Sequence, residues 1–170
     1  MNLYFWGMRM IDGIYLLIGT NLGDKKSNIN TALQKIAMEV GVITAKSSVY
    51  ETAAWGKLDQ PSFYNIAVRV SSEKNPFELL DALQAIEKDM GRIRVEKWRE
   101  RLIDIDILYY EDLQINTPEL TVPHPELPNR RFALIPLVEI ADSFVHPALG
   151  KSNTQLLQEC KDILEVKKVN

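Results

Sequence analysis

Two carboxylates stand two residues apart in the alternating segment Arg-Leu-Ile-Asp-Ile-Asp-Ile-Leu, which ends at Leu108. In an extended strand, side chains at positions i and i+2 share a face and lie roughly 7 Å apart. Asp104 and Asp106 therefore point to one face, and the isoleucines between them point to the other. The two like charges repel each other, and a divalent cation reverses the sign of that interaction. Because carboxylate oxygens suit Mg²⁺, the pair is a candidate magnesium site, although a half-buried strand with a polar face is the alternative.

A basic segment lies immediately before this strand and contains Trp98. Its five cationic residues are Arg92, Arg94, Lys97, Arg99 and Arg101. The planar guanidinium group of arginine binds phosphate oxygens in pairs, which lysine does not do. An acidic pair beside such a segment is typical of a site that binds a metal ion and a phosphate group.

The composition is that of an ordinary globular protein of 170 residues, with 46% hydrophobic and 25% charged residues. The net charge of −3 argues against broad nucleic-acid binding, which favours a basic surface. No apolar run approaches the length of a membrane span. A single cysteine, Cys160, excludes an internal disulfide framework and predicts a reducing, cytoplasmic setting. The segment from Asn2 to Gly7 is similar to an engineered protease site, so residues 1–12 are expected to be a tag remnant or a disordered leader. A single domain is expected over residues 13–170.

Apolar spacing and turn residues predict alternating strands and helices. Helices are expected from an N-cap at Ser27 or Asn28 to Gly41, and from Pro76 to Gly91. Strands are expected at 14–19, 42–50, 63–70 and 103–110. The order β-α-β-β-α-β predicts an α+β, ferredoxin-like fold, an antiparallel sheet with both helices on one face. Further helices are expected near 130–141 and 153–160.

The acidic strand is one of several short motifs distributed over residues 14–149. In chain order they are Gly19-Thr20-Asn21-Leu22-Gly23-Asp24, Tyr50-Glu51-Thr52, Trp55-Gly56, Asp59-Gln60-Pro61, Phe63-x-Asn65, Gly91-Arg92-Ile93-Arg94, Trp98-x-x-Arg101-x-x-Asp104-Ile105-Asp106, Leu120-Thr121-Val122-Pro123-His124-Pro125, Asn129-Arg130-x-Phe132 and Pro136-Leu137-x-Glu139. Each motif is weak alone. Their order and spacing together resemble the hydroxymethyl-dihydropterin pyrophosphokinase family, which moves pyrophosphate from ATP to a pterin alcohol in folate synthesis.

The resemblance implies a site for the co-substrate ATP. Asp104 and Asp106 would hold two Mg²⁺ ions that bridge the phosphates, and Arg92 and Arg101 would be catalytic arginines. Positioning and charge neutralisation supply most of the catalysis in such transfers. Further ATP contacts are implied at Gln84, Glu87, Arg94, Trp98, Ile107, Thr121, His124 and Arg130. Taken alone, Glu87 and Arg94 would be solvated charges, and His124 would be a turn residue between two prolines.

The resemblance also implies a site for the flat pterin ring. Phe63 and Phe132 would sandwich the ring, and Asn65 would read its amide edge. The backbone around Thr52, Ala53 and Trp55 would supply further hydrogen bonds. Without the resemblance, both phenylalanines would be core residues, whereas Asn65 interrupts an apolar strand and needs partners when buried. The expected partners are ATP and the pterin, with no nucleic acid and no membrane, and the chain is expected to be a monomer.

In the implied reaction, the hydroxymethyl oxygen attacks the β-phosphorus of ATP and AMP leaves; no side chain stands out as the base.

The chain departs from the family pattern at three places. Arg99 and Glu100 replace a usual Gly-Pro, Ala53 and Ala54 replace twin prolines, and Glu119 stands where some members have arginine. Since glycine reaches positive φ and proline fixes φ, these changes are expected to alter loop dynamics and rate rather than the reaction.

Two other functions are compatible with parts of the pattern. A nucleotidyltransferase also combines a Gly-Thr turn with an Asp-x-Asp strand, but its two motifs usually lie close together, whereas Gly19 and Asp104 are far apart in this chain. It would release pyrophosphate rather than AMP. A ferredoxin-like module that binds a ligand without catalysis would need no paired carboxylates beside arginines.

Overall fold

Strands and helices alternate along the protein, whose computed structural model describes residues 9–53, 60–91 and 102–170. In chain order the elements are β1 (Ile11–Thr20), α1 (Lys25–Glu39), β2 (Val42–Lys46), β3 (Tyr50–Thr52), β4 (Phe63–Ser72), α2 (Pro76–Asp89), β5 (Asp104–Tyr110), β6 (Ile115–Asn116), β7 (Thr121–Val122), α3 (Arg131–Ala141), α4 (Asn153–Glu159) and β8 (Val166–Lys168). A 3₁₀ turn at Leu127–Asn129 precedes α3. None of the helices in these ranges has the length and apolarity that a bilayer crossing requires.

The larger sheet has the strand order β5-β1-β4-β3-β8 within the described residues, and β2 also pairs with β4. All of these pairings are antiparallel. The core order β5-β1-β4-β2, with α1 and α2 packed on one face, is the ferredoxin-like arrangement. The fold predicted from the sequence is therefore confirmed.

Two apolar cores lie on opposite faces of this sheet, because successive side chains of β1 alternate between the faces. On one face, Leu16 of β1 packs with Ile36 of α1 and Leu83 of α2, and all three are at most 1% exposed. On the other face, Leu17 of β1 packs with residues of α3 and α4. The second core ends before the tips of β1 and β5, so the polar residues at those tips remain outside it.

The starts of both long helices are fixed by side-chain caps. Asn75 and Glu78 form a capping box at the start of α2, and Pro76 takes the first helical position, as predicted. At α1 the prediction of Ser27 or Asn28 as N-cap was wrong. Asp24 is the N-cap, because its carboxylate accepts a hydrogen bond of 3.0 Å from the Ser27 amide.

Several strands differ from the prediction, by one or two residues at the ends of β4 and β5 and by more elsewhere. The single strand expected over 42–50 is divided into β2 and β3, because the Ser47 hydroxyl replaces a backbone acceptor and takes a 3.0 Å hydrogen bond from the Ala67 amide. Strand β1 begins at Ile11, two residues before the expected domain boundary at residue 13. Strand β8, which pairs with β3, was not predicted.

Candidate active site

A row of four paired residues crosses the sheet at its polar end. Asp104 of β5 lies opposite Gly19 of β1, Gly19 lies opposite Asn65 of β4, and Asn65 lies opposite Tyr50 of β3. Residues that are directly opposite in an antiparallel sheet present their side chains on the same face. Asp104 and Asn65, predicted from different motifs, are therefore neighbours with only a glycine between them. Two strand spacings separate their backbones, which is about 10 Å.

Gly19 leaves a gap between the side chains of this row, because glycine has no Cβ atom. A Cβ atom at Gly19 would lie 2.9 Å from Asn65 Oδ1 and 4.0 Å from Phe63 Cδ1. Any side chain at this position would push into Asn65 and fill the space between the amide and the carboxylate. The glycine thus provides a flat floor on which a planar ligand has access to both groups.

Asp106 lies on the same face as Asp104 and meets two basic side chains. His124 Nε2 is 3.9 Å from Asp106 Oδ2, and Arg130 Nη1 is 3.8 Å from the same oxygen. The Asp106 side chain is 31% exposed, so the carboxylate is accessible to a ligand. The structure therefore brings together three of the predicted phosphate and metal residues, from β5, the turn after β7 and the start of α3.

His124 is held as a neutral imidazole at neutral pH. Its Nδ1 accepts a hydrogen bond of 3.2 Å from the Glu126 amide, so Nε2 carries the proton and faces Asp106. Burial and the charge of Arg130 lower the pKa of His124 to about 4, against the opposing charges of Asp104 and Glu126. The imidazole is thus a hydrogen-bond donor to an anion at this site rather than a permanent cation.

Two hydrogen bonds, one of them buried, fix the backbone that carries the carboxylates. Glu87 of α2 is 4% exposed, and its Oε1 accepts a hydrogen bond of 2.7 Å from the amide of Ile105, between the two aspartates. Thr20 Oγ1 donates a hydrogen bond of 2.6 Å to the carbonyl of Leu102. Glu87, predicted to contact ATP, therefore binds the strand itself, at the backbone between Asp104 and Asp106.

The predicted pterin residues gather beside Gly19. Asn65 is 3% exposed, and its Nδ2 donates a hydrogen bond of 3.3 Å to Thr52 Oγ1. Phe63 lies opposite Thr52 in the β3–β4 ladder. Phe132 packs at the edge of the second core, and the Arg130 guanidinium lies 5.8 Å from the centre of its ring. The half-buried Phe63 and Phe132 are thus partly available to a ligand, rather than fully buried core residues.

Of the remaining predicted residues, some belong to the described part of the chain and the others lie outside it. Gln84 is half-buried one turn before Glu87, Thr121 is half-buried in β7, and Ala53 is exposed directly after β3. Ile107 is 5% exposed in the helix-side core, so its side chain is not available for a contact with a nucleotide. Outside the described residues lie the basic segment and the loop tryptophan, that is Trp55, Arg92, Arg94, Trp98 and Arg101.

Sequence reasoning missed Gly19 and Thr20 as members of the site. Both were part of a quoted motif, but their roles depend on the register that sets Gly19 between Asp104 and Asn65 and on the bond from Thr20 to Leu102. A signal existed in the pattern, because a glycine at the end of an apolar strand indicates a close approach of another group.

The donor set at the tip of β5 fits Mg²⁺. In the described ranges no group of three His, Cys, Asp or Glu side chains could hold a metal ion by itself. Two carboxylates are the protein contribution that Mg²⁺ takes when phosphate oxygens and water complete its octahedron. Asp104 and Asp106, on one face with Asp106 partly exposed, match that requirement.

Comparison with known proteins relates the chain to enzymes of pterin metabolism. The profile of the 7,8-dihydro-6-hydroxymethylpterin-pyrophosphokinase (HPPK) family matches residues 15–142. The 2-amino-4-hydroxy-6-hydroxymethyldihydropteridine pyrophosphokinase of Synechocystis is 38% identical over 148 residues, which are 86% of this chain and 75% of that protein. The folic acid synthesis protein FOL1 of Dictyostelium discoideum is 42% identical over 136 residues, which are 80% of this chain but 20% of that protein.

A solved structure supports the fold independently. The Plasmodium falciparum HPPK-DHPS crystal structure with pterin and p-hydroxybenzoate superposes with a TM-score of 0.71 at 17% identity, over 89% of this chain and 42% of that one. The chain thus spans less than half of the Plasmodium chain and about a fifth of FOL1. With the profile match covering most of its length, the chain belongs to the 7,8-dihydro-6-hydroxymethylpterin-pyrophosphokinase family, the ATP-dependent pyrophosphokinases of folate synthesis.

Proposed function

We propose that this chain transfers pyrophosphate from ATP to the hydroxymethyl group of 6-hydroxymethyl-7,8-dihydropterin and releases AMP. One observation carries the proposal beyond family membership. Asp104 and Asn65, the candidate metal ligand and the candidate pterin ligand, flank Gly19 on one face of the sheet. Their backbones are about 10 Å apart. A pterin held at Asn65 thus has its hydroxymethyl arm within reach of phosphates held at Asp104.

The pterin is proposed to lie on the floor at Gly19. Asn65 is fixed by its bond to Thr52, so its amide is oriented to pair with the polar edge of the ring. Phe63 beside Gly19 and Phe132 at the start of α3 are proposed to stack on the two ring faces. A preoriented amide and two aromatic rings together would select a flat heterocycle that carries both donors and acceptors.

The triphosphate is proposed to lie across Asp104 and Asp106, with Arg130 and His124 beside it. Two Mg²⁺ ions held by the carboxylates would neutralise phosphate charge. Arg130 Nη1 and His124 Nε2 both lie within 4 Å of Asp106 Oδ2, so a phosphate oxygen bound at this carboxylate would have two N–H donors beside it. Arg92 and Arg101 are proposed to supply further positive charge, and Gln84, Arg94, Trp98, Ile107 and Thr121 to contact the nucleotide.

The transfer is a displacement at the β-phosphorus. The hydroxymethyl oxygen forms a bond to that phosphorus and its proton passes to solvent, while the bond from the β-phosphorus to the bridging oxygen of the α-phosphate breaks. AMP departs with the bridging oxygen, and the β- and γ-phosphates remain on the pterin. Because such transfers gain most of their rate from alignment and charge stabilisation, the rigid strand that carries Asp104 and Asp106 is suited to the task.

The products test this reaction directly. The purified chain is incubated with ATP, MgCl₂ and 6-hydroxymethyl-7,8-dihydropterin, and the nucleotides are separated by ion-exchange chromatography. We expect AMP to form in a one-to-one ratio with pterin diphosphate, and no AMP to form when the pterin is left out. Pyrophosphate as the product would identify a nucleotidyltransferase instead, and absence of turnover would favour a binding module.

The domain bounds, the oligomeric state and the cellular compartment are proposed from the sequence. We propose that β1 extends the predicted domain over residues 13–170 back to Ile11, and that this single domain works as a monomer in the cytoplasm on small molecules, without nucleic acid. The acidic net charge of −3 and the lone Cys160 support this proposal. Light scattering during size-exclusion chromatography measures the mass, which is 19.4 kDa for a monomer.

A further inference from the structure

Three side chains form a cluster behind the candidate pterin site. Lys25 Nζ donates hydrogen bonds to the Ser62 hydroxyl at 2.9 Å and to the Ser62 carbonyl at 3.0 Å. The Ser62 hydroxyl donates in turn to Glu51 Oε1, and Lys25 Nζ is 3.7 Å from the same oxygen. Lys25 also lies 4.2 Å above the ring of Tyr64. The Ser62 hydroxyl thus accepts a hydrogen bond from Lys25 and donates one to Glu51, so it links the cation to the carboxylate.

The position of Lys25 in α1 is explained by these contacts rather than by the helix. Lys25 is the first residue of α1, where the positive end of the helix dipole opposes a cation. Its side chain is nevertheless only 20% exposed, because it turns away from solvent toward Ser62. A lysine ordered at an unfavourable helix end indicates that the cluster has a purpose outside the helix.

The cluster connects the two ends of one chain segment. Residues 53–62 join β3 to β4, Glu51 lies just before them, and Ser62 is the last of them. Glu51 pairs with Tyr64, and Tyr64 packs on the helix side of the sheet. Thr52, Phe63 and Asn65 therefore point to the opposite face, where the pterin is proposed to bind. The hydrogen bonds and the ion pair of the cluster join its three members to one another, and Glu51 and Ser62 directly adjoin Thr52 and Phe63 in the sequence.

We propose that Lys25, Ser62 and Glu51 form a clasp that positions the pterin-binding ends of β3 and β4. This inference rests on the proposed function and adds three positioning residues to it. By holding Glu51 to Ser62, the clasp fixes the spacing between Thr52 and Phe63 and so orients the amide of Asn65. Among the described residues, the candidate ATP contacts lie on α2, on β5 and from β7 to the start of α3, whereas the hydrogen bonds and the ion pair of the clasp join α1 to the ends of β3 and β4. The clasp should therefore act on one substrate and spare the other.

The Lys25→Met variant tests the clasp, because methionine keeps the aliphatic length and removes the ammonium group. We expect the KM for the pterin to rise about three- to tenfold, as for loss of a partly buried charged hydrogen bond. The KM for ATP and kcat should change less than about twofold. Lys26→Met is the matched control, since it removes the same charge from the next position, where Lys26 Nζ reaches the carbonyl of Asn170 at 3.4 Å.

A merely structural role for Lys25 would lower the melting temperature and leave the ratio of the two KM values unchanged. The clasp is overturned if the pterin KM of Lys25→Met stays within twofold of the Lys26→Met value. An equal rise in both KM values would contradict it as well. If the wild-type chain forms no AMP, the proposed function fails first. Titration of the pterin into each variant, followed by ligand fluorescence, then decides on the clasp by the same twofold criterion, applied to the dissociation constant.

A double-mutant cycle examines the link through serine. Ser62→Ala removes the hydroxyl that accepts from Lys25 and donates to Glu51. If the three groups act as one unit, Lys25→Met should add little to the pterin KM of Ser62→Ala, because contacts within one network are not additive. Effects that multiply independently would show that Lys25 and Ser62 act separately, and would refute the clasp.

Discussion

The open floor at Gly19 leads to a sharp prediction for Gly19→Ala. The new methyl carbon would lie 2.9 Å from Asn65 Oδ1, whereas ordinary contacts begin at 3.4 Å, so the amide must move by several tenths of an ångström. Asn65 is 3% exposed and bonded to Thr52, and the shift therefore strains or breaks that hydrogen bond. We expect the change to act mainly on the pterin, because the methyl group also occupies the floor.

The magnitude follows from two opposing terms. Overpacking by one methyl group costs about 1–3 kcal/mol. Replacement of glycine in the unfolded chain returns about 0.5–1 kcal/mol, since Gly19 does not have the positive φ that would strain an alanine. The net loss of folding stability is therefore about 1 kcal/mol. Pterin affinity should fall at least about tenfold, because small displacements of positioning groups are costly and 1.4 kcal/mol corresponds to a factor of ten.

The assay compares stability and affinity in the same samples. Urea denaturation gives the free energy of unfolding, and fluorescence titration gives the dissociation constants of the pterin and of an ATP analogue. Gly150→Ala is the control: its φ of +64° strains an alanine, and no atom lies within 4 Å of the new Cβ. That variant should lose similar stability and keep its pterin affinity. Wild-type pterin affinity in Gly19→Ala would refute the proposed floor.

Three further predictions test the supports of the site. Glu87→Ala should lower the free energy of unfolding by about 1–3 kcal/mol in urea denaturation, because the Ile105 amide loses a buried acceptor, whereas Glu87→Gln should lose less. Burial lowers the pKa of both His124 and His146, so below pH 6.5 the unfolded chain binds protons that the folded chain does not. Stability should therefore fall between about pH 6.5 and 5, by up to about 1.4 kcal/mol per pH unit for each histidine, and replacing His146 with Asn should reduce the slope measured by urea denaturation. Asp106→Asn should reduce AMP formation by roughly a hundredfold or more while the melting temperature and pterin affinity stay near wild type; unchanged turnover would contradict the metal site.

Much of the fold could be predicted from residues that are close together in the sequence. Alternation in β5 and the apolar stripes of α1 and α2 depend on residues near in sequence, and the elements appear where those patterns predict them. The division of the predicted strand 42–50 depends on a contact between Ser47 and Ala67, twenty positions away. Likewise, β8 is a strand because β3 offers it an edge, which a three-residue segment does not reveal by itself.

The candidate site shows the same division between local and distant information. Asp104 and Asp106 follow from strand periodicity, and Asn65 stands out as an amide in an apolar strand. The importance of Gly19 depends on the register of three strands, and that of Glu87 on the packing of α2 against β5. Residue type therefore indicates the kind of chemistry, whereas sheet register decides which groups meet.

A crystal structure with the pterin, Mg²⁺ and a non-hydrolysable ATP analogue tests the central claim most directly. We expect magnesium density against the carboxylates of Asp104 and Asp106, with the β-phosphate on the metal and the pterin ring over Gly19 at the amide of Asn65. Nucleotide bound at another surface, with no metal on either carboxylate, would contradict the proposed site.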